Sequence, residues 1–216
     1  MHCDESDDPM SRHIETLAYH SHRLGMQGRV TGSHLTSMHS MDNYYVSKLI
    51  PLMREAGVAA IANPLINITL QGRHDSYPKR RGMTRVPELM AAGIDVAFGQ
   101  DCAMDPWYSL GSGDMLEVAH MGLHVAQMTG QEAMHACFRA VTETPARILG
   151  LDGYGLAVGC HADLVILDAT NPVEAIRLRA ARLKVIRRGV VISESPAAHA
   201  KLTLAERPGL VDFRLP

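Results

Sequence analysis

What most constrains this chain is an alternation: short β-prone runs are separated by helical stretches, and each run releases polar groups as it ends. Arg29-Val-Thr-Gly-Ser-His34 closes on a histidine and precedes a helix expected from Ser40 to Ala56, stopped at Gly57. Val58-Ala-Ala-Ile-Ala-Asn63 follows, then a polar loop through Gln71 to Gly82, a helix over Val86 to Ala92, and Gly93. The next run is Asp95-Val-Ala-Phe-Gly-Gln-Asp-Cys-Ala-Met-Asp-Pro-Trp107, apolar from Val96 to Phe98 and polar at Gln100, Asp101 and Asp105. Strands that alternate with helices pair in parallel through crossovers, and parallel strands carry chemistry at their carboxyl ends. An aspartate after a strand is also an ordinary turn or cap residue, so Asp101 takes its meaning from the rest of the chain.

The remaining elements follow the same rules of period and punctuation. Ile14, Leu17, Ala18 and Leu24 fall at helical spacing and Gly25 closes that helix. His20 and His22 lie inside it, and positions two apart on a helix face different ways, so they read as surface or packing residues. Helices are expected from Met115 to Ala126 and from Gln131 to Leu149, the latter containing Thr144-Pro-Ala-Arg147. His120 and His124 are four apart but lack the glutamate of a zinc-binding HExxH helix, and also read as packing or surface residues. After Gly150 the texture changes to a glycine-rich connection, strand-like Leu164 to Asp168 and Val185 to Ile192, and a surface tail with short extended pieces. No Gly-Lys-Ser/Thr follows those glycines, so turn geometry accounts for them better than a phosphate cradle. Two parts are therefore expected, 1–150 and 151–216.

A chain of 216 residues, 46% hydrophobic, has enough material for a sizeable core. A net charge of -2 offers no footprint for nucleic acid or an anionic membrane, which points to a small or neutral substrate. No apolar run is long enough for a bilayer, and Met1-His-Cys-Asp-Glu5 is unlike a signal peptide, so a cytoplasmic location is expected. The four cysteines, Cys3, Cys102, Cys137 and Cys160, form no CxxC pair and are expected as reduced thiols. Twelve histidines are the informative excess, since neutral imidazole is the commonest metal ligand.

Placed at strand ends together, His2 and Glu5 follow one strand, His34 the next and Asp101 the last. Histidine and aspartate suit a divalent metal that lowers the pKa of its water, and a nearby glutamate suits proton transfer to a leaving group. The constellation points to a metal-dependent hydrolase.

Longer strings carry a resemblance. His2-Cys-Asp-Glu-Ser-Asp-Asp8, Ser33-His-Leu-Thr-Ser-Met-His-Ser40, Asn63-Pro-Leu-Ile-Asn-Ile-Thr-Leu-Gln-Gly-Arg73, Tyr77-Pro-Lys-Arg-Arg-Gly82, Asp105-Pro-Trp-Tyr108 and Met121-Gly-Leu-His-Val125 resemble the bacterial cytosine deaminases of the amidohydrolase superfamily. Gly159-Cys-His-Ala-Asp-Leu-Val-Ile-Leu167 is similar to the segment that returns such chains to a small β-sandwich. The resemblance implies an α/β fold, the carboxyl-terminal part of a metal-dependent (β/α)₈ TIM-type barrel plus strands of the sandwich. It implies one divalent metal ion, Fe²⁺ or Zn²⁺, that activates water against the amine-bearing carbon of a pyrimidine. By motif, His2 and Asp101 match metal ligands, Glu5 the glutamate that protonates the ring nitrogen, His34 the histidine that assists proton transfer, and Trp107 a pocket-lining aromatic.

Three departures qualify it. The family's HxH metal pair and substrate-binding glutamine have no counterpart here, so the chain resembles roughly the carboxyl-terminal half of a deaminase. Cys102 stands where a second aspartate is typical, and Gln100 where histidine is usual. A smaller, uncharged Cys102 enlarges the pocket edge, which implies tolerance of a C5 substituent, as in 5-methylcytosine or 5-fluorocytosine; it is equally read as a small buried residue. The expected partners are a small pyrimidine and either further copies of the chain or a missing amino-terminal half, with no nucleic acid and no membrane. The alternatives are a catalytically inactive half-barrel that needs a complementary chain, and a related amidohydrolase acting on another cyclic amidine.

Overall fold

The computed structural model describes residues 1–207 and 209–213. It divides into two compact units, Met1–Gly150 and Leu151–Pro216.

The first unit holds a parallel sheet of four strands in the order β1-β2-β3-β4: β1 His2–Cys3, β2 Val30–His34, β3 Val58–Ala62 and β4 Val96–Phe98. Three of these are the runs read from the sequence; the fourth, β1, is the two-residue strand carrying His2. Between them lie α1 His13–Arg23, a 3₁₀ turn Thr36–His39, α2 Asn43–Glu55, α3 Pro64–Leu70 and α4 Val86–Ala91. After β4 come α5 Met115–Val125, α6 Gln131–Arg139 and α7 Glu143–Ile148. The single helix expected over Gln131 to Leu149 is two, parted at Ala140–Thr142, and α3 was not expected at all, although Pro64 at its first turn is a good start signal.

Pairing aligns His2 with Ser33, Ser33 with Ile61, and Ile61 with Ala97, so these four sit in one row across the sheet. The alternate positions Val58, Ala60, Ala62, Val96 and Phe98 are almost fully buried, whereas Thr31, Ser33, Ala59 and Ile61 are only half-buried. Period-two alternation thus gives β2 and β3 a buried face and a more open one, while all three residues of β4 are buried. Each large apolar side chain on the buried face contributes roughly 1.5–3 kcal/mol by leaving water. Contact there is tight: a Cβ on Gly122 of α5 would come within 2.6 Å of Phe98 Cε2, so only glycine lets α5 lie this close to β4.

In the second unit, β5 Leu164–Leu167, β6 Arg182–Arg187 and β7 Val190–Glu194 form an antiparallel sheet, with α8 Pro172–Leu178 between β5 and β6. The run from Val185 to Ile192, read as one strand, is a hairpin turning at Arg188 (φ 49°) and Gly189 (φ 79°), the paired left-handed residues of a tight turn. The tail carries the short pieces β8 Ala200–Lys201 and β9 Leu210–Val211, paired with each other. Among the described residues no helix is long and apolar enough to cross a membrane.

Candidate active site

Sharp left-handed turns mark the carboxyl ends of three of the four parallel strands: Asp4 after β1 (φ 55°), His34 at the end of β2 (φ 76°) with Leu35 beside it (φ 52°), and Asp101 after β4 (φ 61°). Non-glycine residues rarely adopt this region, at a cost of order 1–3 kcal/mol each, and such strain concentrates where side chains must be aimed. The β1 end is also stitched to the next turn. Leu35 N–H donates to Cys3 O at 3.0 Å and Ser37 N–H to Asp4 O at 3.0 Å. The Thr36 hydroxyl donates to Asp4 O at 3.0 Å and accepts from Ser6 N–H at 2.9 Å.

Two adjacent acids leave β1 in different directions. Asp4 is buried and its carboxylate is saturated: Oδ1 accepts from Ser11 Oγ (2.9 Å) and His13 N–H (2.9 Å) and meets His13 Nδ1 (2.8 Å), and Oδ2 accepts from Ile14 N–H (2.8 Å). It therefore caps α1 from outside the helix. Burial pushes the Asp4 carboxyl up, but the donors from Ile14, His13 and Ser11 outweigh it and hold the group below the ordinary carboxylate range.

Glu5 turns instead to the histidines. Its Oε2 lies 2.8 Å from His2 Nε2 and its Oε1 3.3 Å from His34 Nδ1. The two imidazoles are 4.2 Å apart between ring centroids. Ligand atoms of His2, Glu5 and His34 all lie within 4.8 Å of one another. Two nitrogens and a carboxylate oxygen at this separation fit an ion such as Zn²⁺ or Fe²⁺. His34 is buried, which lowers its pKa; Glu5 pulls it up, His2 down, and Asp101 up, with a net lowering that favours neutral imidazole.

Two asparagines complete the shell, and neither was singled out from the sequence. Asn63 ends β3 and Asn67 sits one turn into α3, both buried. Asn67 Nδ2 reaches His34 Nδ1 at 3.0 Å and Glu5 Oε1 at 3.3 Å, and Asn63 Nδ2 donates to Ser33 Oγ at 3.1 Å. The available signal was two asparagines four apart, the first at a strand end and the second on the helix begun by Pro64.

The β4 residues stand apart from this cluster. Asp101 is exposed and acts on His34 through its charge. Cys102 is buried, its Sγ 3.6 Å from Asp101 Oδ2; burial first, then Asp105 and Asp101, push its thiol up to about 12, so it is a neutral thiol. Trp107, expected to line a pocket, is 72% exposed, held by its N–H donating to Asp105 Oδ1 at 2.9 Å. Gln100 Nε2 donates to Cys102 O at 3.1 Å, while its buried Oε1 has no hydrogen-bond partner among the described residues. The structure thus brings together His2, Glu5 and His34, with Asp101 in electrostatic reach, and leaves Cys102 and Trp107 outside the cluster.

A parallel α/β sheet with imidazoles and a carboxylate gathered at its strand ends is the arrangement of enzymes that work at the carboxyl edge of such sheets. The amidohydrolase family model matches residues 1–204, and the chain belongs to the amidohydrolase family. It is similar to 5-methylcytosine deaminase from Klebsiella pneumoniae liganded with 5-fluorocytosine, with 48% identity and a TM-score of 0.90 over 93% of this chain and 49% of that one. It is also similar to pterin deaminase from Rhizobium rhizogenes, 34% identical over 90% of this chain and 45% of the relative. A third likeness is to N-isopropylammelide isopropylaminohydrolase from Burkholderia multivorans, at 29% identity and a TM-score of 0.73 over 84% of this chain and 43% of that one. The chain spans about half the length of the relatives it matches, and the matched part of the 5-methylcytosine deaminase is the carboxyl-terminal portion.

Proposed function

We propose that this chain carries the proton-handling half of a deaminase that hydrolyses cytosine or a C5-substituted cytosine, forming the uracil and ammonia. The observation that carries the reading is the convergence of His2, Glu5 and His34 within 4.8 Å at the ends of adjacent parallel strands. The 5-methylcytosine deaminase likeness supports the substrate class. A fold completed as a (β/α)₈ barrel, with the second unit's strands belonging to a small β-sandwich, is part of the same reading.

His2 and Asp101 would hold one divalent ion, Fe²⁺ or Zn²⁺, which when bound makes water acidic enough to react near neutral pH. The chain's own residues move the protons. In hydrolysis a water oxygen bonds to the amine-bearing ring carbon, the carbon–nitrogen bond breaks, and the amine leaves as ammonia. Glu5, whose carboxylate lies 2.8 Å from His2 Nε2 and 3.3 Å from His34 Nδ1, takes one proton from the water and gives it to the ring nitrogen, then takes the second from the new hydroxyl group and gives it to the departing amine. His34, buried and neutral, assists that transfer. Cys102 and Trp107 border the base, and the neutral thiol of Cys102 leaves space and no charge beside C5.

The test is ammonia release from cytosine and 5-methylcytosine by the metal-loaded chain, with Glu5→Gln as control. Release abolished by Glu5→Gln supports the proposal. Replacing Cys102 by Asp in a catalytically competent assembly is expected to lower the kcat/KM ratio of 5-methylcytosine to cytosine by about tenfold or more, the scale of one methyl-sized misfit. An unchanged ratio removes the C5 assignment. A second reading, in which the site is completed by another chain or another copy, is favoured by the exposure of Asp101 and Trp107. Activity that appears only on mixing with an amino-terminal deaminase segment supports that reading; no ammonia in either arrangement sinks the first.

A further inference from the structure

The loop 71–82, between α3 and α4, is tied to the ends of β1 and β2. Gly72 N–H donates to Asp7 Oδ2 at 2.8 Å, and Arg80 Nη1 donates to Asp7 O at 3.0 Å and to Ser40 Oγ at 2.7 Å. The rest of the Arg80 guanidinium turns back on the loop, Nε donating to Asp75 Oδ2 at 2.8 Å and Nη2 to Asp75 Oδ1 at 2.7 Å. These bonds hold the Asp75 carboxyl down to about 2, so the pair stays ionised and moves with the loop. Asp75 N–H and Lys79 Nζ both donate to Gly72 O, at 3.2 and 3.0 Å, so Gly72 moves with it too.

His39, in the 3₁₀ turn after β2, bridges the two anchors, its side chain 8% exposed. Its Nε2 lies 2.9 Å from Asp7 Oδ1 and its Nδ1 3.0 Å from Ser40 Oγ. A carboxylate only accepts, so Nε2 carries the proton; Ser40 Oγ already accepts from Arg80, so its own hydrogen goes to Nδ1. The chain of donors runs one way, Arg80 to Ser40 to His39 to Asp7, and is complete only while His39 is neutral. A second proton, on Nδ1, turns the Ser40 hydrogen out of the chain and sets a cation one side chain away from the Arg80 guanidinium. Asp7 keeps its hold on the imidazolium, so the contact that gives is that of Arg80. Arg81, whose Nη1 donates to Val125 O at 3.3 Å, and Arg85, whose Nε donates to Met38 O at 2.9 Å, line the same cleft as His39 and add positive charge. Glu88, 3.4 Å from Arg85 Nη1, offsets part of it.

We propose that this chain of donors is an acid-released latch: neutral His39 keeps the loop 71–82 clamped on the turn that follows Glu5, and protonated His39 lets Arg80 and Gly72 go. Burial lowers the His39 pKa, Asp7 raises it, Arg80 lowers it and Asp75 raises it, with a net lowering in the clamped state. In the released state the imidazole is solvated and returns toward its ordinary value of about 6.5. Release therefore binds the proton, and acid favours it, by at most about tenfold per pH unit for one linked proton. The latch does not rest on the deaminase reading; only its use, opening the strand-end corner beside Glu5, does.

The test is amide hydrogen exchange of the 216-residue chain by NMR, from about pH 8 to about pH 5, each rate referred to the intrinsic rate at that pH to give a protection factor. Phe98 N–H, which donates to Ala140 O at 2.8 Å, is the reference for global opening. Protection of Gly72 N–H is expected to fall below about pH 6.5, by up to about tenfold per pH unit and ahead of Phe98. His39→Gln offers a donor to Asp7 and an acceptor to Ser40 without titrating, so its Gly72 protection is expected to stay level. A Gly72 factor that holds to about pH 5, or falls in step with Phe98, overturns the proposal, as does an acid step kept in His39→Gln. Should His39→Gln not fold, Ser40→Ala cuts the link between His39 and Arg80: lower Gly72 protection at about pH 8 with a smaller acid step supports the latch, and a full step overturns it. Ammonia release plays no part in these readings, so the latch and the deaminase reading fail separately.

Discussion

The corner where β1 and β2 end and the corner where β4 ends are both built from polar residues on left-handed turns, yet they are finished differently. At the first, Asp4 is saturated, Glu5 has two histidines and an amide, and the 3₁₀ turn is stitched back to β1. At the second, Asp101 and Trp107 are exposed and Gln100 keeps an unpaired buried oxygen. A side chain is positioned by what surrounds it, so the first corner is pre-organised within this unit whereas the second holds its backbone and leaves its functional groups free.

The largest expected effect falls on the finished corner. Asp4→Ala strips the cap from α1 and leaves the N–H groups of His13 and Ile14 and the Ser11 hydroxyl without their acceptor. Loss of about 3 kcal/mol or more is expected in urea unfolding, from several buried donors at about 1–3 kcal/mol each. A loss under about 1 kcal/mol would mean that the corner is held by the 3₁₀ stitching instead.

Next comes the backbone of the open corner. A Cβ on Gly111 would lie 2.1 Å from Cys102 O and 2.9 Å from Gln100 Nε2. Because the nearest atom is main chain and cannot swing aside, Gly111→Ala is expected to cost about 1–3 kcal/mol. A neutral outcome would show this loop to be as free as its side chains, and would deepen the contrast between the corners.

Metal titration compares them directly. In calorimetry with Zn²⁺ on the chain, Glu5→Gln is expected to weaken binding by about tenfold or more, the scale for loss of a ligand's close partner. Asp101→Asn removes a proposed ligand itself and is expected to weaken it more, although Asp101 is exposed and outside the His2–Glu5–His34 cluster. The reverse order would make the His2–Glu5–His34 corner the anchor of the ion and remove Asp101 from the ligand set.

Much of this was legible in the sequence because it rests on local rules. The alternation of β-prone runs and helices predicts the parallel sheet, and motif position alone nominates His2, Glu5 and His34, which the fold brings together. The rest depends on contacts distant in sequence. Asp4 and Glu5 are neighbours with the same chemistry, and only the placement of α1 decides that one caps a helix while the other meets histidines. Asn67 approaches His34 across 33 residues, a relation no spacing rule encodes. The hairpin at Arg188-Gly189 was missed because β-prone Val185-Ile186 and Val190 to Ile192 flank it closely, leaving Gly189 as a single turn signal inside an apolar run.

The smallest effect is a pH dependence carried by the finished corner. His39 Nε2 lies 2.9 Å from Asp7 Oδ1 and Nδ1 lies 3.0 Å from Ser40 Oγ. Burial lowers its pKa, Asp7 and Asp75 oppose this, Arg80 adds to it, and the net shift is downward. His34 is lowered in the same sense, again by burial first. With the folded value below the unfolded one, the unfolded chain binds more protons between the two, so stability rises with pH through that window. It is fully present above the ordinary imidazole value of about 6.5 and is lost as pH falls from there toward the folded values. The urea midpoint is therefore expected to drop on acidification below about pH 6.5. His39→Gln keeps a donor for Asp7 but does not titrate, so it should flatten His39's share of that slope and leave that of His34. An unchanged slope would assign the acid sensitivity to His34 alone.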